Sequence, residues 1–245
     1  MTHIVRNCLL AAAMLLLASC AALDMRRAVP SSAASSIRSI GVVSSLGTEF
    51  NATYIGVTIF NNKAHKYSVP NWKIEEFAIG TATEYLNSLG RYEARSLGNS
   101  FGDRDYDRML AEARSAGHDT LIVLTPTSYD NAPHYVGGYG LHRRIFFGGP
   151  RDCIYTLFVT QVFDVATGAK LGWEWSFPTT SGIGCYGRKD LGEEWDNSVE
   201  WQESLAGYTE AQQEILRSNV LASMSESVPR SLKKLGFQTG GKTPN

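Results

Sequence analysis

Two stretches of this sequence and four scattered histidines carry residue types that could do chemistry. Gly182-Ile183-Gly184-Cys185-Tyr186-Gly187 fits G-x-G-x-x-G, in which glycines let a backbone close on a pyrophosphate at the start of a helix. The polar run Arg188–Glu194 that follows carries no helix signal, so no dinucleotide cofactor is expected. Asp103-Arg104-Asp105-Tyr106-Asp107 spaces its carboxylates as a calcium loop does, yet Arg108 stands where the turn needs glycine and Arg114 where a bidentate Glu belongs. These aspartates are expected to cap a helix and complement its dipole. His65, His118, His134 and His142 form no H-E-x-x-H, and no G-x-S-x-G supplies a nucleophile. His134 and His142 alone do not make a zinc site and read as solvent-facing loop residues. Catalytic residues, metal ligands and cofactors are therefore all assigned as none, and the chain reads as a non-enzyme.

Cys20 is different. It closes an apolar run, Cys8–Ala18, preceded by a short head bearing Arg6 and the α-amine. Eleven residues fall short of the roughly 20 that cross a bilayer but suit the core of an export signal. Cleavage after Ala21 or Ala22 would make this plain secretion. Leu17-Ala18-Ser19-Cys20, however, resembles the lipobox of bacterial lipoproteins. That resemblance implies a signal peptide over 1–19 and a diacylglycerol, with palmitate-type chains, on Cys20. Several acyl chains hold a soluble domain firmly at a membrane. Ala21, which is not Asp, implies sorting to the outer membrane, with the domain facing the periplasm.

Removal of 1–19 takes away Arg6 alone among charged side chains, leaving 22 basic and 24 acidic residues and a net charge of −2. Such a balance gives no footprint for nucleic acid. Apolar residues make up 43% and aromatic ones 11%, enough for a substantial core. Residues 20–36, with their Ser/Ala tract, read as a flexible tether, 37–235 as one domain, and 236–245 as a disordered tail. Of four cysteines, Cys8 leaves with the signal and Cys20 takes lipid, so Cys153 and Cys185 remain, either as a disulfide or as two buried thiols.

The elements that would position these residues follow from periodicity. Ile40–Leu46 suits a buried strand, and Thr53–Asn61, with Ile55, Val57 and Ile59 on one face, pairs through Asn61-Asn62-Lys63 with His65–Val69. A helix starts with Asn71 as N-cap, shows Ile74, Phe77, Ala78, Thr81, Tyr85 and Leu89 on one face, and ends at Gly90. A short strand over 91–96 follows. A second helix begins near Asp103, buries Tyr106, Met109, Leu110 and Ala113, and stops at Gly117. Thr120–Thr127 reads as a central strand, buried on both faces until Pro126. Cys153–Val165 and Ala169–Phe177 flank the turn Ala166-Thr167-Gly168. With Val165 opposite Ala169 or Lys170, Cys153 falls opposite Ser181 or Gly182, within reach of Cys185. Trp173 and Trp175 share a face expected to pack under a final helix, Glu210–Leu235, striped with Leu216, Val220, Met224, Val228, Leu232 and Leu235.

The fold class is thus α+β: a mixed, largely antiparallel sheet, two or three helices on it, and a long C-terminal hairpin followed by a C-terminal helix. This order, with IGVVSSL, DYDRMLAEARSAGHDTLIVL and FDVATGAKL, resembles a periplasmic lipoprotein family. The family includes the curli secretion channel lipoprotein, the penicillin-binding-protein activators and the N-terminal domain of the Tol propeller protein. The resemblance implies an accessory of envelope assembly; an oligomeric secretion or pore subunit and a cell-wall enzyme are the alternatives. Residues 129–152 read as an inserted loop whose Tyr135, Tyr139, Arg143, Arg144, Phe146 and Phe147 are of types enriched at interfaces. These are the candidate contacts for an envelope protein partner or, as a homo-oligomer, a second copy.

Overall fold

The computed structural model describes residues 27–99, 101–102, 104–127, 136–146, 149–176 and 199–238. Within the described residues eight strands form one mixed sheet: β1 (Ser39–Ser44), β2 (Glu49–Ile55), β3 (Lys63–Ser68), β4 (Glu93–Gly98), β5 (Thr120–Pro126), β6 (Gly138–Phe146), β7 (Gly149–Asp164) and β8 (Lys170–Trp175). Among the described residues four helices accompany it: α1 (Ser31–Ser36), α2 (Ile74–Ser88), α3 (Tyr106–Ser115) and α4 (Glu210–Lys234). The α+β class is as expected from the sequence.

Pairing runs β3-β2-β6-β7-β5-β1-β4, with β8 also on β7. β1 is parallel to β4 and β5, and β2 to β6; the pairs β2–β3, β5–β7, β6–β7 and β7–β8 are antiparallel. Strand β7 has 16 residues, and its two halves meet different partners: 149–157 pair with β6 and 158–164 with β5. Only residues 45–48 separate β1 from β2, and Gly137 lies against the Thr127 backbone. β2 therefore continues the line of β1, and β6 that of β5, so the sheet is long in the strand direction, with β7 spanning it.

Each face follows from strand alternation. Phe50, Ala52, Tyr139, Leu141, Ile154, Phe158 and Val162 point to α2 and α4, whose Ala78, Ala82, Leu86, Leu216, Val220, Met224, Val228 and Leu232 complete the larger core. On the other face Val43, Leu121, Val123, Phe163 and Val165 pack against Met109, Leu110 and Ala113 of α3. α4 starts at a capping box in which Thr209 accepts from the Gln212 N–H and Gln212 accepts from the Thr209 N–H. It crosses β7 on a row of serines: Ser223 and Ser227 meet Thr156, and Ser231 meets Thr160. Small side chains here bring helix and sheet backbones close together.

Several expectations are corrected. β2 begins four residues earlier, because Phe50 and Ala52 are its core side chains. Val57 then lies beyond its end in an exposed turn, and Ile59 opens a 3-10 turn. Pro70–Trp72 is likewise a 3-10 turn, so α2 starts after Lys73, in the left-handed conformation at φ 51°, and not after Asn71. Its buried face is Ile74, Ala78, Ile79, Ala82 and Leu86, shifted from the expected stripe. Asp105 precedes α3 without a side-chain cap bond. Residues 27–36 of the expected tether belong to the domain: the Arg27 backbone pairs with Trp173, Val29 and Ile37 are buried, and Ser31–Ser36 are helical with Ala33 and Ala34 against the core. The insertion is no surface loop, because its residues 138–146 are the strand that joins β2 to β7. Trp173 and Trp175 face away from α4: Glu174 between them is the residue on that side, 3.3 Å from Lys234. Trp173 instead shares the face of Gln161, which bonds Tyr106 of α3.

The hairpin register matches expectation, with Gln161 opposite Trp173 and Asp164 holding the turn through the Thr167 N–H and hydroxyl. Thr120–Pro126 is buried on both faces up to the proline, as read.

Candidate docking site at the end of the sheet

β2 and β6 run in the same direction, so the β2–β3 turn and the β6–β7 turn emerge at the same end of the sheet. The first carries Gly56–Asn62, in which the Gly56 N–H donates to the Asn62 side chain and the Asn61 N–H to the Thr58 carbonyl. That closure leaves Val57 75% and Phe60 90% exposed. No charged residue occurs between Ile55 and Asn62. At the second, Phe146 pairs with Gly149 as the last described rung of β6–β7. Residues 145–150, Ile-Phe-Phe-Gly-Gly-Pro, are uncharged as well.

The sequence-derived contact residues separate here. Tyr139 is fully buried: its hydroxyl donates to the Gly47 carbonyl, its ring lies against Phe50, and burial pushes its phenol well above the usual range. It is a core residue and cannot offer contact area. Arg143 is also structural, with its side chain 14% exposed. It donates through Nε and Nη2 to the two Asp152 oxygens at 2.6 and 2.7 Å and lies 3.7 Å from Glu200. Burial holds the Asp152 carboxyl above its ordinary range against the pull of Arg143. Arg144 and Phe146 are on β6 next to the turn. Tyr135 and Phe147 lie outside the described residues, as do Cys20 and Cys185. Cys153 is disulfide-bonded, and its partner too lies outside the described residues.

One rung behind the tip, Ile55, Arg144 and Arg151 are neighbours across β2, β6 and β7. On the next rung Lys63, Tyr54, Arg143 and Asp152 line up. Over the α4 face of these strands lies a strap, residues 199–209. The Trp201 ring lies tilted against Tyr54 and His65, the Tyr67 hydroxyl donates to the Gln202 carbonyl, and Lys63 pairs with Glu203. The Tyr208 hydroxyl takes the Gln202 N–H, and burial pushes its pKa up to about 12. The apolar tip residues Val57 and Phe60 escaped the sequence reading because they were assigned to a strand; their hydrophobicity in an uncharged stretch was the available signal.

His142, expected in a solvent-facing loop, is buried on β6 and hydrogen-bonds Thr53 at 2.8 Å, since β6 is internal to the sheet. His118 meets Ser39 at 2.8 Å; burial, and then the charge of Arg95, hold its pKa below the ordinary 6.5. Glu75 accepts from the Gly47 N–H and fastens the link between β1 and β2; burial raises its pKa. Among the described residues no group of three or more His, Cys, Asp or Glu is placed to hold a metal, and no helix is long and apolar enough to cross a membrane.

No family model matches the chain, and no curated protein does. Among solved structures it is similar to two PelC dodecamers from Paraburkholderia phytofirmans. One, a single-residue variant, shows 11% identity and a TM-score of 0.27, over 56% of this chain and 69% of that one. The other shows 10% identity and a TM-score of 0.25, over 77% of this chain and 84% of that one. Both likenesses are slight, and neither bears on function.

Proposed function

We propose that this chain is a lipoprotein of the outer membrane, facing the periplasm, whose domain is a non-enzymatic partner-binding accessory of envelope assembly. The observation that carries this reading is the position of Leu17-Ala18-Ser19-Cys20 relative to the fold. Among the described residues, the chain is stitched to the domain from Arg27 onward, through Trp173. Six residues lie between Cys20 and Arg27, so seven residue steps give a reach of at most about 24 Å. Acyl chains on the Cys20 sulfur would therefore station the domain against the bilayer. The element order supports kinship with the curli-channel and penicillin-binding-protein-activator lipoproteins. The oxidising periplasm agrees with the disulfide at Cys153. With Cys8 in the signal and Cys20 under lipid, Cys185 is its partner in this reading.

The reading is tested by labelling cells with a palmitate analogue. The native protein incorporates label, whereas Cys20→Ala does not and accumulates as uncut precursor. A Cys20→Ala protein processed like the native one would defeat the proposal.

A further inference from the structure

We infer that the cleft between α2 and the outer edge of β4 receives an extended segment of a partner protein, added to the sheet as a further strand and carrying Lys or Arg at two positions four residues apart. β4 ends the pairing order of the described sheet. The Glu93 N–H donates to the Arg38 carbonyl, so Glu93 turns its backbone polar groups toward β1, and by alternation Ala94 and Ser96 turn theirs outward. Asn87 holds both groups of Ala94: its side chain donates to the carbonyl and accepts from the N–H, as a neighbouring strand would. The next outward residue, Ser96, lines a cleft of about 320 Å³.

The facing wall is α2, with Glu76, Ile79, Gly80 and Glu84. Gly80 lies in mid-helix, where glycine weakens a helix, and a Cβ there would meet nothing within 4 Å. The wall is thereby left open to the close approach of another chain. Charge and spacing select the occupant. Glu76 and Glu84 are the charged residues of the lining, and both are exposed. They stand on one row of α2 with Gly80 midway, and eight residues at about 1.5 Å each put them about 12 Å apart along the helix. An extended strand advances about 3.3 Å per residue, so side chains four residues apart on one of its faces are about 13 Å apart. A segment hydrogen-bonded to Ser96 with a basic side chain at each of these positions meets both carboxylates. The residue midway between them on the same face falls at Gly80, where the helix makes room for it. In strand addition of this kind main-chain bonds supply affinity and alternate side chains supply specificity.

The inference rests on the partner-binding reading for the source of the segment. Its geometry uses α2 and β4 alone, so it does not depend on how the chain is anchored.

Hydrogen exchange of the Ser96 amide, read by mass spectrometry on the full chain in detergent micelles, tests this with the synthetic peptide Thr-Lys-Val-Thr-Val-Lys-Thr, blocked at both ends. At about 1 mM peptide, exchange at Ser96 is expected to slow at least tenfold, with the amides of α3 unchanged. That protection should vanish when both lysines of the peptide are replaced by Glu, when its core amides are methylated, and in Glu76→Lys/Glu84→Lys, whose two positions are exposed. Absent protection, or protection that survives the lysine exchange or the methylation, would overturn the inference. So would a Ser96 amide that, without peptide, becomes more protected as the chain is concentrated, because a second copy then takes the edge. Palmitate labelling of the same preparation separates the two readings: an acylated chain without protection sinks this inference alone, and protection on an unacylated chain sinks the Cys20 anchor alone.

Discussion

Replacing Arg143 by Ala should destabilise the domain and not merely weaken a partner contact. Its guanidinium bonds both oxygens of Asp152, whose side chain is only 8% exposed, and Arg143 itself is 14% exposed. Truncation leaves a buried carboxylate uncompensated, which costs about 3–5 kcal/mol. The backbone N–H of Trp201 still reaches Asp152, which places the expected loss near the lower end, about 3 kcal/mol. For a domain of this size that lowers Tm by about 6–12 °C. The loss has a pH signature. Burial already holds the Asp152 carboxyl above its usual range, and removing Arg143 raises it further. The penalty is larger toward neutral pH, where the carboxyl tends to ionise. It shrinks as pH falls through the variant's raised pKa, because the buried group then becomes neutral. Arg143→Leu/Asp152→Leu should recover most of the loss. Urea denaturation of the single and double variants at neutral and acidic pH measures all of this. A loss below about 0.5 kcal/mol at neutral pH, the size expected of an exposed pair, would refute the reasoning.

Other outcomes follow from single contacts. Gly140→Ala places a Cβ 2.0 Å from the Asn51 carbonyl oxygen, so β2–β6 pairing should weaken by about 3 kcal/mol, read by thermal denaturation. Asn87 donates to and accepts from the Ala94 backbone, closing the outer edge of β4; Asn87→Ala should cost about 1–3 kcal/mol and speed hydrogen exchange at Ala94. Ser227→Leu forces a branched side chain between α4 and Thr156 and should cost about 1–3 kcal/mol, measured by urea denaturation. The folded pKa of His118 lies below its unfolded value. Its contribution to stability is therefore present above about pH 6.5 and lost as pH falls through the folded pKa, a loss absent in His118→Gln. An NMR midpoint at or above 6.5 for His118 would contradict the assignment.

Much of the fold was legible because periodicity reports burial. Thr120–Pro126 is apolar throughout since both faces are covered, and the stripe from Leu216 to Leu232 describes the contact face of α4. The turn Ala166-Thr167-Gly168 set the β7–β8 register, with Gly168 at φ 72°. β6 stayed hidden because glycines at 138 and 140 read as loop, whereas Gly140 is there to let Asn51 approach. Tyr139 and Arg143 then passed for contact residues, their types being equally suited to a buried hydroxyl and a buried ion pair. Two tryptophans on one strand face signalled packing but not which side; the intervening Glu174, paired with Lys234, decides it. The apolar turn at Val57–Phe60 looked like strand because hydrophobicity normally means burial, and here it does not.

The account stands most directly on the intact mass of the mature protein recovered from outer membranes. It predicts a polypeptide beginning at Cys20 and carrying a diacylglycerol on its sulfur. An unacylated chain beginning at Ala22 or Leu23, recovered in the soluble fraction, would contradict it.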